Sequence, residues 1–139
     1  MADRTEIALK PFDHPVAVEA ADIDANGHVN NVVYLRWVQD AAVAHWFAAV
    51  EPEMAGGPAW AVVRHEIDYK RPAMSGDALV VRTWIGEVTA IKVERFCEIL
   101  RPSDGQTLAK VRTLWCSFDL DSGRPIRIDP RIRAVFGSA

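Results

Sequence analysis

Val29-Asn-Asn-Val-Val-Tyr-Leu-Arg-Trp-Val-Gln-Asp-Ala-Ala-Val-Ala-His-Trp-Phe-Ala-Ala-Val50 sets the architecture. Val33, Trp37, Ala41, Ala44 and Ala48 recur at three- or four-residue spacing, the period of a helix. Val32, Tyr34, Leu35, Val38, Val43, Trp46 and Phe47 are apolar around the rest of its circumference, which predicts a core helix surrounded by other structure. Some 20 residues at 1.5 Å each would span about 30 Å. Glu51-Pro52 and Ala55-Gly-Gly-Pro58 end it.

Downstream the period changes to two. Trp60–Tyr69, Ala78–Ile85, Ile91–Leu100 and Thr107–Leu120 read as strands, separated by turns at Arg71–Asp77 and Arg101–Gly105. In the third, Lys92, Glu94, Phe96 and Glu98 alternate with Ile91, Val93, Cys97 and Ile99. Upstream, Ile7–Ala20 is extended in character, interrupted by Pro11 and Pro15. Short connections favour antiparallel pairing, so the expected class is α+β, an antiparallel sheet wrapped on one helix. Residues 1–139 are expected to form one domain, and they show no repeat or long linker.

Half the residues are hydrophobic, and the net charge is −3 with dispersed Lys and Arg. That gives nucleic acid no basic stripe. Arg36, Gln39, Asp40 and His45 interrupt the most apolar stretch, making it a poor membrane span. The N-terminus lacks the apolar core of a signal peptide. Cys97 and Cys116 read as buried thiols in a reducing compartment. A cytoplasmic protein is expected. The five tryptophans need large apolar contacts, some of which a subunit interface could supply.

The polar residues concentrate immediately before the helix, in Asp22-Ile-Asp-Ala-Asn-Gly-His-Val-Asn-Asn31. Asp22-x-Asp24-x-Asn26-Gly27 copies the opening of a calcium loop, but the twelfth position is Val33 where a bidentate Glu must close the shell. No nucleophile elbow surrounds any serine, and no zinc or phosphate-loop spacing occurs. No metal or cofactor is expected. Asp, Asn and Gly also make ordinary helix caps. A helix N-terminus can equally serve a developing oxyanion, with a nearby carboxylate as base or nucleophile. Spacing alone leaves both readings open.

Asp22-x-Asp24-x-x-Gly27-His-Val-Asn-Asn-x-x-Tyr34-x-x-Trp37 resembles the hotdog-fold acyl-CoA thioesterases related to 4-hydroxybenzoyl-CoA thioesterase. Ile67-x-Tyr69-x-x-Pro72 and Gly76-Asp77-x-Leu79-x-Val81-x-Thr83 extend the likeness from about residue 12 to 128. The resemblance implies a hotdog fold, with a sheet of five or slightly more strands around the helix. It makes Asp24 the catalytic carboxylate and gives the backbone N–H of Asn31 the task of polarising the thioester carbonyl. Asp24-x-Asn26-x-His28-Val-Asn-Asn31 is also similar to plant acyl-ACP thioesterases, which implies that Asn26 and His28 take part in catalysis. Val29, Asn30 and Tyr34 are the expected substrate-contact positions, although Tyr34, like Trp37 and Trp46, also reads as packing. The family assembles as homodimers or homotetramers with sites at subunit interfaces.

One feature departs from the pattern. Glu87-Val-Thr-Ala-Ile91 lacks the consecutive basic residues that hold CoA phosphates in the 4-hydroxybenzoyl-CoA enzyme. Lys70, Arg71, Arg64 or Arg95 are the available substitutes, so acyl-CoA and acyl-ACP both stay open as substrates. His14, His45 and His65 read as surface or satisfied structural histidines, Asp40 as a helix-surface residue and Asp77 as turn chemistry. An acyl-thioester hydratase or dehydratase of the same fold and a non-catalytic acyl-thioester-binding protein are the competing functions.

Overall fold

The computed structural model describes residues 3–55 and 59–136. Its elements in chain order are α1 (Arg4–Leu9), β1 (Phe12–Ala17), a 3-10 turn (Ala20–Asp22), α2 (Asn31–Ala49), α3 (Pro52–Ala55), β2 (Ala59–Tyr69), β3 (Ala78–Val88), β4 (Lys92–Arg101), β5 (Gln106–Phe118) and α4 (Pro130–Val135). The five strands make one antiparallel sheet in the order β1-β3-β4-β5-β2. Consecutive β3, β4 and β5 are neighbours, whereas β1 and β2 take the two edges.

The expected long helix and its four following strands are present. α2 starts two residues later than Val29 because Val29 is held extended, its N–H donating to Ala73 O at 3.1 Å. Asn30 caps the helix, its Oδ1 accepting from Val32 N at 3.3 Å. The N-terminal segment differs from the expected extended run. Asp3 Oδ1 accepts from Glu6 N at 2.9 Å and starts a helix that lays Ala8, 2% exposed, into the core. Pro11 stands where the chain becomes strand, consistent with its missing N–H. At the other end Asp129 Oδ1 accepts from Arg131 N at 2.8 Å, and Pro130 opens a helix that the sequence reading did not assign.

The buried side of α2 carries Val33, Tyr34, Trp37, Val38, Ala41, Ala42, His45 and Ala49. Its first half packs on Leu79, Val81, Cys97, Ile99, Leu108 and Val111 of the sheet. Its last residues join a second cluster with Ala8, Val93, Ile128, Ile132 and Phe136. Burying one such leucine or isoleucine is worth about 1.5–3 kcal/mol, so each half of the helix is anchored by several. The expectation of a helix surrounded on every face is not met by a single chain: Val32, Val43 and Phe47 are 67%, 44% and 63% exposed. Both cysteines are free and buried, as expected.

Candidate active site

The nine residues from Asp22 to Asn30 fold into a compact turn before α2, and its two aspartates are held in different ways. Asp22 is 2% exposed. Its Oδ2 accepts from Glu19 N at 2.9 Å and its Oδ1 from Arg36 Nη2 at 2.9 Å. Burial works to raise its pKa, but the Glu19 N–H and the Arg36 guanidinium outweigh it and hold the carboxyl below the ordinary range. Asp22 is therefore a structural anion, and its carbonyl also accepts from Asn30 N at 2.8 Å.

Asp24 is only half-buried. Its Oδ1 accepts from Asn26 N at 2.8 Å and from His28 N at 3.2 Å. The main chain closes the same loop, with Asp24 N donating to His28 O at 2.7 Å and Gly27 N to Asp24 O at 3.1 Å. Gly27 makes the reversal possible with φ of +79°, a conformation that L side chains resist. Among the described residues nothing donates to Oδ2, which leaves one carboxylate oxygen for solvent or substrate. Asn26 and His28 are exposed, and their backbones, not their side chains, hold Asp24.

At the helix entrance the donors divide sharply. Val29 N is taken by Ala73 O, Asn30 N by Asp22 O, Val32 N by Asn30 Oδ1 and Val33 N by Asn30 O. Asn31 N, in the first turn where no intrahelical acceptor exists, has none among the described residues. Its carbonyl is fixed by Tyr69, whose hydroxyl donates to it at 2.9 Å. Tyr69 is the member of this group that sequence reasoning treated only as part of a strand motif. Its place at the end of β2 was the available signal.

Of the expected substrate contacts, Val29 is 2% exposed and sits in the core, while Asn30 is an exposed cap. Tyr34 is 2% exposed, its hydroxyl accepting from Ala73 N at 2.7 Å and its ring packed edge-on to Tyr69 at 5.1 Å. Burial pushes the Tyr34 phenol up. Among the cations considered for a nucleotide, Arg64, Lys70 and Arg71 are exposed, but Arg95 is 5% exposed and cannot serve a surface phosphate. The alternation along β4 put it on the inward side with Val93 and Cys97. Asp77 is turn chemistry, as expected: its Oδ2 accepts from Met74 N at 2.9 Å and from Arg101 Nη1 at 3.0 Å. Asp40 is on the helix surface and His45 is a buried, fully bonded histidine. Among the described residues no cluster of His, Cys, Asp or Glu is placed to hold a metal ion. No helix among them is long and apolar enough to cross a membrane.

Residues 18–136 match the thioesterase-like superfamily. The chain belongs to that superfamily. With it comes the enzyme class, a hydrolase of thioester bonds. Among solved structures, a thioesterase from Thermus thermophilus complexed with coenzyme A and Zn is 25% identical. It superimposes with a TM-score of 0.79, covering 91% of this chain and 97% of that one. The 1,4-dihydroxy-2-naphthoyl-CoA thioesterase of Synechocystis is 23% identical, with a TM-score of 0.80 over 91% of this chain and 96% of that one. The 12:0-ACP thioesterase of Umbellularia californica is 18% identical, with a TM-score of 0.80 over 91% of this chain and 49% of that one. No curated protein matches the chain. The sheet order and the helix packed against it are those of the hotdog fold.

Proposed function

We propose that this thioesterase hydrolyses an acyl-CoA or acyl-ACP, releasing a carboxylic acid and a free thiol, with Asp24 as general base or nucleophile. The observation that carries the proposal is the division of labour in the turn. One aspartate is buried against Arg36, and the other is held by two backbone N–H groups with an oxygen to spare. As a base, Asp24 takes a proton from water while the water oxygen attacks the carbonyl carbon. The C–S bond then breaks and the thiolate is protonated. As a nucleophile its carboxylate attacks the carbonyl carbon and expels the thiolate as the C–S bond breaks. Water then opens the resulting acyl–Asp24 anhydride to the acid and the free carboxylate. In either route the carbonyl oxygen gains charge, and Asn31 N–H at the start of α2 is the donor proposed to meet it. Asn26 and His28, whose backbone N–H groups hold Asp24, are proposed to orient water or substrate.

Two further features belong to this reading. The exposed Val32, Val43 and Phe47 lie along α2, and β2 leaves a free sheet edge with Val63 53% exposed. Apolar surface of this kind supports a homodimer or homotetramer whose second copy completes the substrate site. Two buried free thiols support a reducing, cytoplasmic setting.

The test is free-thiol release from a panel of acyl-CoAs and acyl-ACPs by the wild type and by Asp24→Asn. The asparagine oxygen still accepts from Asn26 N and His28 N, so the loop is kept while the acid–base group is lost. Turnover should fall about 10²–10⁴-fold with an unchanged melting temperature. Undiminished turnover in the variant removes Asp24 from the mechanism, and binding without thiol release by the wild type removes hydrolysis.

A further inference from the structure

At the far end of α2 from Asp24, the helix and sheet enclose a second place where chemistry is concentrated. Trp46 lies 15 residues beyond Asn31, about 22 Å along the helix axis. There a half-open cavity of about 150 Å³ is lined by Trp46, Trp60, Trp115, Ile132 and Phe136, with Arg95 as its one charged residue. None of Asp24, Asn26, His28 or Asn31 borders it.

Among the described residues Arg95 is the buried cation, and no carboxylate among them pairs with it. Nη1 donates to His45 Nδ1 at 3.0 Å and to Thr83 Oγ1 at 2.9 Å, both neutral acceptors. Nε and Nη2 have no acceptor among the described residues. A buried cation without a counter-charge is costly and is ordinarily paired. Trp60 is partly buried on the same wall. Its ring stands edge-on to Trp46 at 5.8 Å.

We propose that this cavity is a binding site for a small aryl carboxylate, the ring held among the tryptophans and the carboxylate facing Arg95. The volume sets the size: an apolar cavity of this order accepts a benzene-sized body. The chemistry sets the charge, because a guanidinium and a carboxylate match in shape and can share two N–H···O bonds. Burial pulls the Arg95 guanidinium down to about 10, the direction expected of a cation that has lost water and gained no anion. At neutral pH it is still charged. His45 cannot supply the missing anion, and among the described residues no acidic side chain lines the cavity. The inference does not rest on the proposed hydrolysis.

Phenylacetate and its uncharged counterpart phenylacetamide separate an anion site from a merely apolar hole. Both are titrated into the purified full chain at pH 7, with tryptophan fluorescence as the readout, since three tryptophans line the cavity. Phenylacetate should bind saturably and at least roughly tenfold more tightly than the amide, the margin of a charge-assisted hydrogen bond. Arg95→Met should abolish that preference. Ala42→Phe, which fills the cavity from α2, should weaken both ligands. Asp24→Asn should leave both affinities unchanged, so that failure here is distinct from failure of the catalytic proposal. Equal affinities for acid and amide, no binding of either, or a preference that survives Arg95→Met overturns the assignment. The comparison of acid with amide in the wild type stands even where a variant does not fold.

Discussion

Nη1 of Arg95 donates to Nδ1 of His45 across 3.0 Å, and this bond fixes the tautomer of a histidine that is 0% exposed. Nδ1 is the acceptor, so Nε2 carries the hydrogen and donates to Ile7 O at 2.6 Å. The ring thereby ties α1 to α2 and β4. A second proton would have to sit on Nδ1, facing the guanidinium. Burial first, and then the Arg95 charge, pull the His45 pKa down to about 4 from its usual 6.5.

The pH dependence of stability follows from that shift. The unfolded chain protonates this histidine near 6.5, whereas the folded chain resists until about 4. The contribution is full above pH 6.5 and is lost as pH falls through the window down to 4. Between pH 7 and pH 5 the loss should be about 2 kcal/mol. His65, also pulled down by burial, adds in the same direction. Urea unfolding at the two pH values measures the slope, and His45→Gln should flatten most of it. A slope unchanged in that variant removes His45 as its source.

Gly27 offers a test of the turn without touching a functional side chain. A Cβ added there meets nothing within 4 Å, so any cost comes from the backbone at φ +79°. Gly27→Ala should destabilise by about 1–2 kcal/mol. Turnover should fall further than the small population of unfolded chain explains, because the loop that presents Asp24 is displaced. Gly27→Asn should do less harm, since asparagine tolerates this region better. Equal activity in the wild type and Gly27→Ala would show that the loop geometry is not required.

The proposed assembly is tested on the open face of α2. Val32→Glu and Phe47→Glu each place a charge on a side chain that is more than 60% exposed in the single chain. Folding should be unaffected, while self-association weakens by at least about tenfold if this face is buried between copies. Sedimentation velocity across a concentration series reads the shift directly. A wild type that sediments as a single chain throughout contradicts the assembly.

Most of the fold was legible because periodicity reports burial, and burial is what the sheet and α2 impose on their sequences. The two six-residue helices were not, although Asp3 and Asp129-Pro130 are good starting signals. Helices that short depend on what they dock against, and Ala8, Ile132 and Phe136 find that partner far away in sequence. At the site, spacing showed an Asp-x-Asp pair but could not separate its members. Arg36, 14 residues beyond Asp22, is what buries one and leaves the other half-open. Arg95 was readable as a cation but not as an unpaired one, because a missing carboxylate is a property of the packed core.

Tyr34 links that core to the site, and its role can be decided by separating stability from kinetics. Its hydroxyl accepts from Ala73 N at 2.7 Å, and Ala73 O in turn accepts from Val29 N at 3.1 Å, immediately before the cap of α2. Ala73 is 0% exposed, so Tyr34→Phe leaves a buried N–H without an acceptor. That should cost about 1–3 kcal/mol. As an anchor of the loop, Tyr34 predicts a lower melting temperature with KM nearly unchanged. As a substrate contact, it predicts the reverse: a raised KM at near-native stability. Thermal unfolding and steady-state kinetics on the one variant distinguish them. The packed hydroxyl favours the anchor.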